Sequence, residues 1–203
     1  MPKKKIGDCF LTLLLFVLSG CASLSEEECL TGDWEGIGYR DGLQGELQGV
    51  LSEHQKSCSE YQISLNLDEY LQGRKQGLKA YCLPNNGFRV GLRGVEYSYV
   101  CPKALEKSFL IEYQRGRTIY LQEQKVNALK AEIESVKQQL KKLTKKIKTT
   151  ERNLLKEGVS RHERKALLES LREQEREVPL LSSELDQLEA GLISEEFILR
   201  RLR

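Results

Sequence analysis

The chain contains no Cys-x-x-Cys pair, no Gly-x-Ser-x-Gly turn and only two histidines, His54 and His162. Structural zinc sites draw on closely spaced Cys and His ligands, and α/β-hydrolases present their nucleophile on the Gly-x-Ser-x-Gly turn. With neither pattern available, the residues predict no enzyme, no metal and no conventional cofactor. His54 stands four residues before Cys58, on one face of any helix there; that spacing reads as packing, not as a catalytic Cys–His pair. No apolar run approaches the roughly 20 residues of a membrane-spanning helix; the longest near the amino terminus is Leu13 to Leu18. Nor does one sign of charge dominate. Lys and Arg number 32 against 30 Asp and Glu, and the first twenty residues, with Lys3, Lys4, Lys5 and Asp8, account for that excess. The balance beyond them gives no electrostatic reason to expect a nucleic-acid partner. At 39% hydrophobic and 31% charged residues, the chain is too polar for one large core and too regularly patterned for disorder.

What the amino terminus does have is an ordered leader. Lys3 to Lys5 are followed by the apolar Phe10 to Leu18 and then by Leu18-Ser19-Gly20-Cys21. A basic start, a short apolar run and small residues make an export signal, not a stable span. The last four residues resemble a bacterial lipobox, in which the cysteine receives a diacylglycerol thioether and the chain is cut before it. The resemblance implies that residues 1–20 are removed and that Cys21 carries a covalent lipid, which anchors the chain to a membrane. Ala22 follows, where an Asp would resemble an inner-membrane retention signal. The expected location is therefore the outer membrane of a Gram-negative cell envelope, facing the periplasm. Residues 21–28 are expected to form a lipidated polar tether.

Of six cysteines, Cys9 leaves with the leader and Cys21 takes lipid. Cys29, Cys58, Cys82 and Cys101 remain, an even number in an exported chain, which predicts two disulfides. Three connectivities are open; proximity in sequence favours Cys29–Cys58 with Cys82–Cys101.

Between Trp34 and Tyr120 the chain is rich in glycine and tyrosine. Gly38, Gly42, Gly45 and Gly49 follow the spacing of one helix face. Tyr70, Gly73, Gly77 and Tyr81 do the same, predicting a helix over 67–82. The stretch 84–94, Pro-Asn-Asn-Gly onward, reads as turn. Arginine between glycines recurs at Gly38–Gly42, Gly73–Gly77 and Gly91–Gly94, as if one unit had been copied. "DWEGIGYRDG", "YLQGRKQGLKAYCLPNNGFRVGLRGVEYSYVCP" and "FLIEYQRGR" resemble a proteobacterial lipoprotein family defined only as a domain of unknown function. The resemblance covers roughly residues 29–117. It implies a small exported disulfide-bearing module and brings no activity or ligand. Arg40, Arg74 and Arg93 are candidate anion-binding residues, since guanidinium groups and amides near glycine hold phosphate or carboxylate. The competing reading stacks these arginines on tyrosines or leaves them solvated.

Residues 119–157 contain neither Gly nor Pro. Val126, Leu129, Ile133, Val136, Leu140, Leu143 and Ile147 alternate steps of three and four, the seam of a coiled coil. Gly158 can end that helix, and Ser160-Arg161-His162-Glu163 forms a capping box for another. A second seam runs from Leu171 through Gln174, Val178, Leu181, Leu185 and Leu188 to Leu192. Folding back at Gly158 sets Leu140 against Val178 and Leu143 against Gln174. It also sets Lys141, Lys142, Lys145, Lys146 and Lys148 opposite Glu169, Glu173, Glu175 and Glu177, so the lysines read as a paired face and not as a lipid or nucleic-acid site. Pro179 is expected to kink the second arm or cost it a backbone bond.

The expected fold class is thus mainly α. A small disulfide-bonded, Gly-rich helical and loop module (29–118) precedes a long antiparallel helical hairpin (119–203) with its turn near 158–160. The expected function is a non-enzymatic envelope scaffold that binds another envelope protein through the coiled coil. The alternative is a module that binds peptidoglycan or lipopolysaccharide through Arg40, Arg74 and Arg93.

Overall fold

The computed structural model describes residues 23–203, and the leader and Cys21 lie outside the described residues. Among the described residues seven helices follow one another: α1 (Glu26–Thr31), α2 (Trp34–Gln44), α3 (Val50–Ser59), α4 (Leu67–Tyr81), α5 (Pro84–Leu92), α6 (Lys103–Leu154) and α7 (Arg161–Leu202). No strand occurs among the described residues. Polar side chains start the helices where the sequence offers them. Ser25 and Glu28 form a capping box on α1, Asp33 caps α2, Asn66 caps α4, and Ser160 with Glu163 caps α7.

Two compact units emerge. One comprises the residues up to Gly87 together with Glu96–Glu112; the other comprises Phe88–Val95 and Tyr113–Arg203. The boundary expected near residue 118 falls inside α6, which runs without interruption from Lys103 to Leu154.

In the first unit, α2 and α4 run parallel with their backbones almost touching. A Cβ on Gly38 would fall on the Tyr70 carbonyl, one on Gly42 on the Arg74 carbonyl, one on Gly73 on the Glu35 carbonyl and one on Gly77 on the Tyr39 carbonyl. Glycine in a helix costs about 1 kcal/mol against alanine; here the close approach offsets it. Gly45 does not continue the stripe. It ends α2 in the left-handed conformation at φ 73°, with the Tyr81 ring beneath it. Gly49 lies before α3, in open space.

The stretch expected as turn is helix α5. Proline suits a first helical turn because its missing N–H has no intrahelical partner there, and Gly87 and Gly91 are needed for contact. A Cβ on Gly87 would strike the Phe109 carbonyl. In the second unit, one on Gly91 would strike the Tyr113 carbonyl and one on Gly116 the Phe88 carbonyl. Gly94, at φ 74°, ends this repeat over the Tyr120 ring. The repeat is therefore real, in a different frame from the one expected. Gly38-Tyr-Arg-Asp-Gly-Leu-Gln-Gly45 corresponds to Gly87-Phe-Arg-Val-Gly-Leu-Arg-Gly94. Gly77 with Tyr81 corresponds to Gly116 with Tyr120.

The second unit continues as an antiparallel hairpin. Val136, Leu143 and Leu181 are buried with Leu140, Ile147, Val178, Leu185 and Leu188 around them. α6 ends at Leu154, Gly158 takes φ 79°, and α7 begins at Arg161. Pro179 does not break α7.

The register differs from the simple fold-back. Gln174 accepts a hydrogen bond from Thr150 at 3.3 Å, one heptad beyond Leu143, while Gln122 reaches Glu195, as the simple fold-back requires. The polar contacts thus lie between the expected register and one a heptad further on. A heptad repeat permits this, because sliding one arm by a layer still brings apolar residues together.

The lysine–glutamate pairing expected near the turn is also absent among the described residues. The ion pairs between arms are Lys130–Glu196 and Lys137–Glu189, each 2.8 Å, and Arg203–Glu123, 2.7 Å. Residues 123, 130 and 137 form one heptad row along α6. Its next members are Thr144 and Glu151, so no lysine occupies the row nearer the turn.

Candidate functional site

Leu24 is 1% exposed and packs with Cys29, Trp34, Ile37, Cys58 and Tyr70. Residues 23–28 are therefore not the polar tether expected. Ser25 already caps α1, and Ser23 is bonded into the module. The Ser23 backbone N–H donates to Ser57 Oγ at 3.1 Å, and the two hydroxyls lie 3.2 Å apart. Sequence inspection missed Leu24 because one leucine among serines and glutamates carries no periodicity.

Ser23 is the outer end of a buried polar chain. Its hydroxyl lies 2.9 Å from His54 Nδ1, and His54 Nε2 lies 2.9 Å from Asp41 Oδ2. The Tyr70 hydroxyl donates to the same Asp41 oxygen at 2.8 Å. With the ring proton on Nε2 every group has a partner: Ser23 donates to Nδ1, and His54 and Tyr70 donate to the carboxylate. Burial, then the hydrogen bond to Asp41, pushes the Tyr70 phenol far above its ordinary value. Asp41 reaches this position because it lies between Gly38 and Gly42 on the face of α2 that closes on α4. A carboxylate inside a glycine stripe was the available signal. His54 and Tyr70 come from α3 and α4, which only folding brings to it.

Ser, His and Asp are the residue types of a hydrolytic triad, but this chain has a different form. The serine sits on Nδ1 and the carboxylate on Nε2. The serine also bonds Ser57, and Tyr70 shares the carboxylate oxygen. This network links the amino-terminal segment to α2, α3 and α4. Among the described residues no group of His, Cys, Asp and Glu could hold a metal, and no helix is long and apolar enough to cross a membrane.

Two disulfides brace the module. Cys29–Cys58 ties α1 to α3 beside Leu24, and Cys82–Cys101 closes the loop between α4 and α6. Next to the second bridge, Tyr97 accepts the Cys101 N–H at 3.0 Å and donates to Glu106 at 3.3 Å. Burial, reinforced by the Glu106 charge, pushes this phenol up to about 12.

Arg40 pairs with Glu28 at 2.9 Å. The Ser25 N–H and hydroxyl, with Arg40, hold the Glu28 carboxyl below its ordinary value. Arg74 donates to the Glu46 carbonyl at 2.6 Å, just beyond the glycine that ends α2. Arg117 likewise donates to the Gly94 carbonyl at 2.6 Å. Arg93 is exposed. Two of the three candidate anion-binding residues are therefore occupied in holding helix ends and caps.

This arrangement spans a known segment. A family model described as a protein of unknown function (DUF2799) matches residues 33–118. The DUF2799 segment runs from the cap of α2 through both glycine-packed helix pairs. It contains Asp41, His54 and Tyr70, and leaves out Ser23, Leu24 and the hairpin beyond residue 118. No curated protein and no solved structure matches the chain.

Proposed function

We propose that the chain is a lipid-anchored envelope protein of a Gram-negative bacterium. The DUF2799 segment would seat it at the membrane, and the hairpin would be its non-enzymatic scaffolding arm. The observation that carries this reading is the burial of Leu24 and the bonding of Ser23 to His54 and Ser57. The lipobox-like cysteine stands two residues before Ser23, and a two-residue link spans about 7 Å when extended. An acyl chain on Cys21 would therefore hold the folded module directly against the headgroups. Ala22 favours the outer membrane, and the oxidising compartment that such export implies suits the two disulfides. The arm is long: the 36 residues of α6 beyond residue 118 extend about 54 Å at about 1.5 Å per residue, a length of exposed helix that suits a scaffold.

The test is metabolic labelling with a clickable palmitate analogue, comparing the native chain with Cys21→Ser. Label carried by the native chain and lost in the variant supports the anchor; an unlabelled native chain overturns it. Crosslinking in intact cells then reads the scaffold role, which predicts a protein partner joined through hairpin residues. Labelling of Ser23 by a fluorophosphonate would overturn the non-enzymatic reading.

A further inference from the structure

The end of the hairpin is basic, and among the described residues its cations make few ion pairs. Residues 141–165 carry ten Lys and Arg against three Glu, whereas residues 169–196 carry nine Asp and Glu against two Arg. All ten basic residues are exposed. The ion pairs between arms stop at Lys137–Glu189. Beyond it, among the described residues, only Lys165 has an acidic partner, Glu169, at a loose 3.9 Å within its own helix. The excess is thus concentrated in the last turns of α6, the connection and the first turn of α7. It is not spread along the rod.

The same end exposes apolar side chains. Leu155, in the connection, is 83% exposed, and Leu168, on α7, is 41% exposed. A cluster of basic residues around exposed leucines matches the chemistry of a phospholipid surface. Anionic headgroups attract the lysines, and the apolar groups enter the boundary beneath them. A nucleic acid would use the lysines and leave the leucines in water. A solvated face would need neither the leucines nor such a separation of charge.

We propose that residues 141–168, the tip of the hairpin, form a docking surface for a membrane that contains anionic phospholipid. It is separate from any lipid on Cys21 and does not depend on it. Each basic residue near an anionic bilayer contributes about fivefold in affinity, and the attraction weakens with salt.

The experiment is vesicle co-sedimentation of the full chain carrying Cys21→Ser, so that no acyl anchor contributes and any effect of the leader is common to every variant. The vesicles are phosphatidylcholine alone, or phosphatidylcholine with an equal part of phosphatidylglycerol. The expected result is salt-sensitive binding that requires phosphatidylglycerol. Lys141→Gln, Lys145→Gln, Lys148→Gln and Arg161→Gln together should weaken it by at least a hundredfold. Leu155→Asp should weaken it severalfold. Four changes outside the tip, Lys56→Gln, Lys75→Gln, Lys103→Gln and Lys107→Gln, should leave it within about threefold of the parent. Circular dichroism confirms that the tip variants keep their helix. Equal binding to both vesicle types, or equal losses in the two sets of variants, overturns the proposal. So does tighter binding to a DNA duplex than to the anionic vesicles, since that would make the tip a general polyanion site.

Discussion

The DUF2799 segment and the hairpin are both helical, yet glycine means opposite things in them. In the first, Gly38, Gly42, Gly73 and Gly77 each face a carbonyl of the opposite helix so closely that a Cβ cannot be placed. In the second, Gly191 lies mid-helix with nothing within 4 Å of where a Cβ would stand. One region is held by backbone contact between parallel helices, buried polar bonds and disulfides. The other is held by side chains meeting along a seam. Every change that adds a methyl, removes a bridge or breaks a buried hydrogen bond should therefore separate the two.

The largest separation is expected from Gly77→Ala. It forces α2 and α4 apart and should destabilise the module by about 3 kcal/mol or more, with the hairpin's helical signal retained. Differential hydrogen exchange along the chain checks this; equal loss of protection in both regions would show that they unfold together. Reduction of the disulfides comes next. Each bridge closes a loop, of 29 and 19 residues in sequence separation, and its loss should cost about 3 kcal/mol. Reductant should lower the module's melting temperature and leave the Val136–Leu181 seam unaffected.

Replacing His54 by Ala leaves the Asp41 carboxylate and Ser23 short of partners and should cost about 2–3 kcal/mol. Limited proteolysis should then cut near Ser23 first. Titration distinguishes the regions again. Because the fold raises Tyr97 from 10.0 to about 12, it favours the protonated phenol. That stabilisation is complete below pH 10 and is lost as pH rises towards 12. Alkaline melts should show the module weakening across that window, with a smaller slope in Tyr97→Phe. The smallest effect has the opposite sign. Gly191→Ala should stabilise the hairpin by about 0.4–1 kcal/mol, read as a higher midpoint in urea.

Much of this contrast was visible in the residues. The three-four alternation from Val126 to Ile147 and the Ser160–Glu163 capping box place the hairpin, because helix periodicity and caps are local properties. Arg40, Arg74 and Arg93 were equally visible, but the partners of Arg40 and Arg74 were not. The sequence shows that arginines lie near glycines and not whether Glu28 or the Glu46 carbonyl lies within their reach. The segment 84–94 failed for a related reason. Its proline and glycines are turn residues by local rule, and only the nearness of α6 turns Gly87, Gly91 and Gly94 into contact positions and a helix end. Asp41, His54 and Tyr70 come from three helices, with Ser23 ahead of them all, and no spacing in sequence announces their meeting.

By itself, then, the sequence determined the helix over 67–82, the two hairpin helices and their seams, the four cysteines available for bridges and the charge separation along the hairpin. Each follows from residue type at a local spacing. Tertiary structure decided which glycines are repeats of one another, how far the arms slide past each other and which lysines remain unpaired. It also decided that Ser23 and Leu24 belong to the fold. Periodic sequences define faces but leave the choice among equivalent alignments open, and that choice falls to close contacts between residues far apart in the chain.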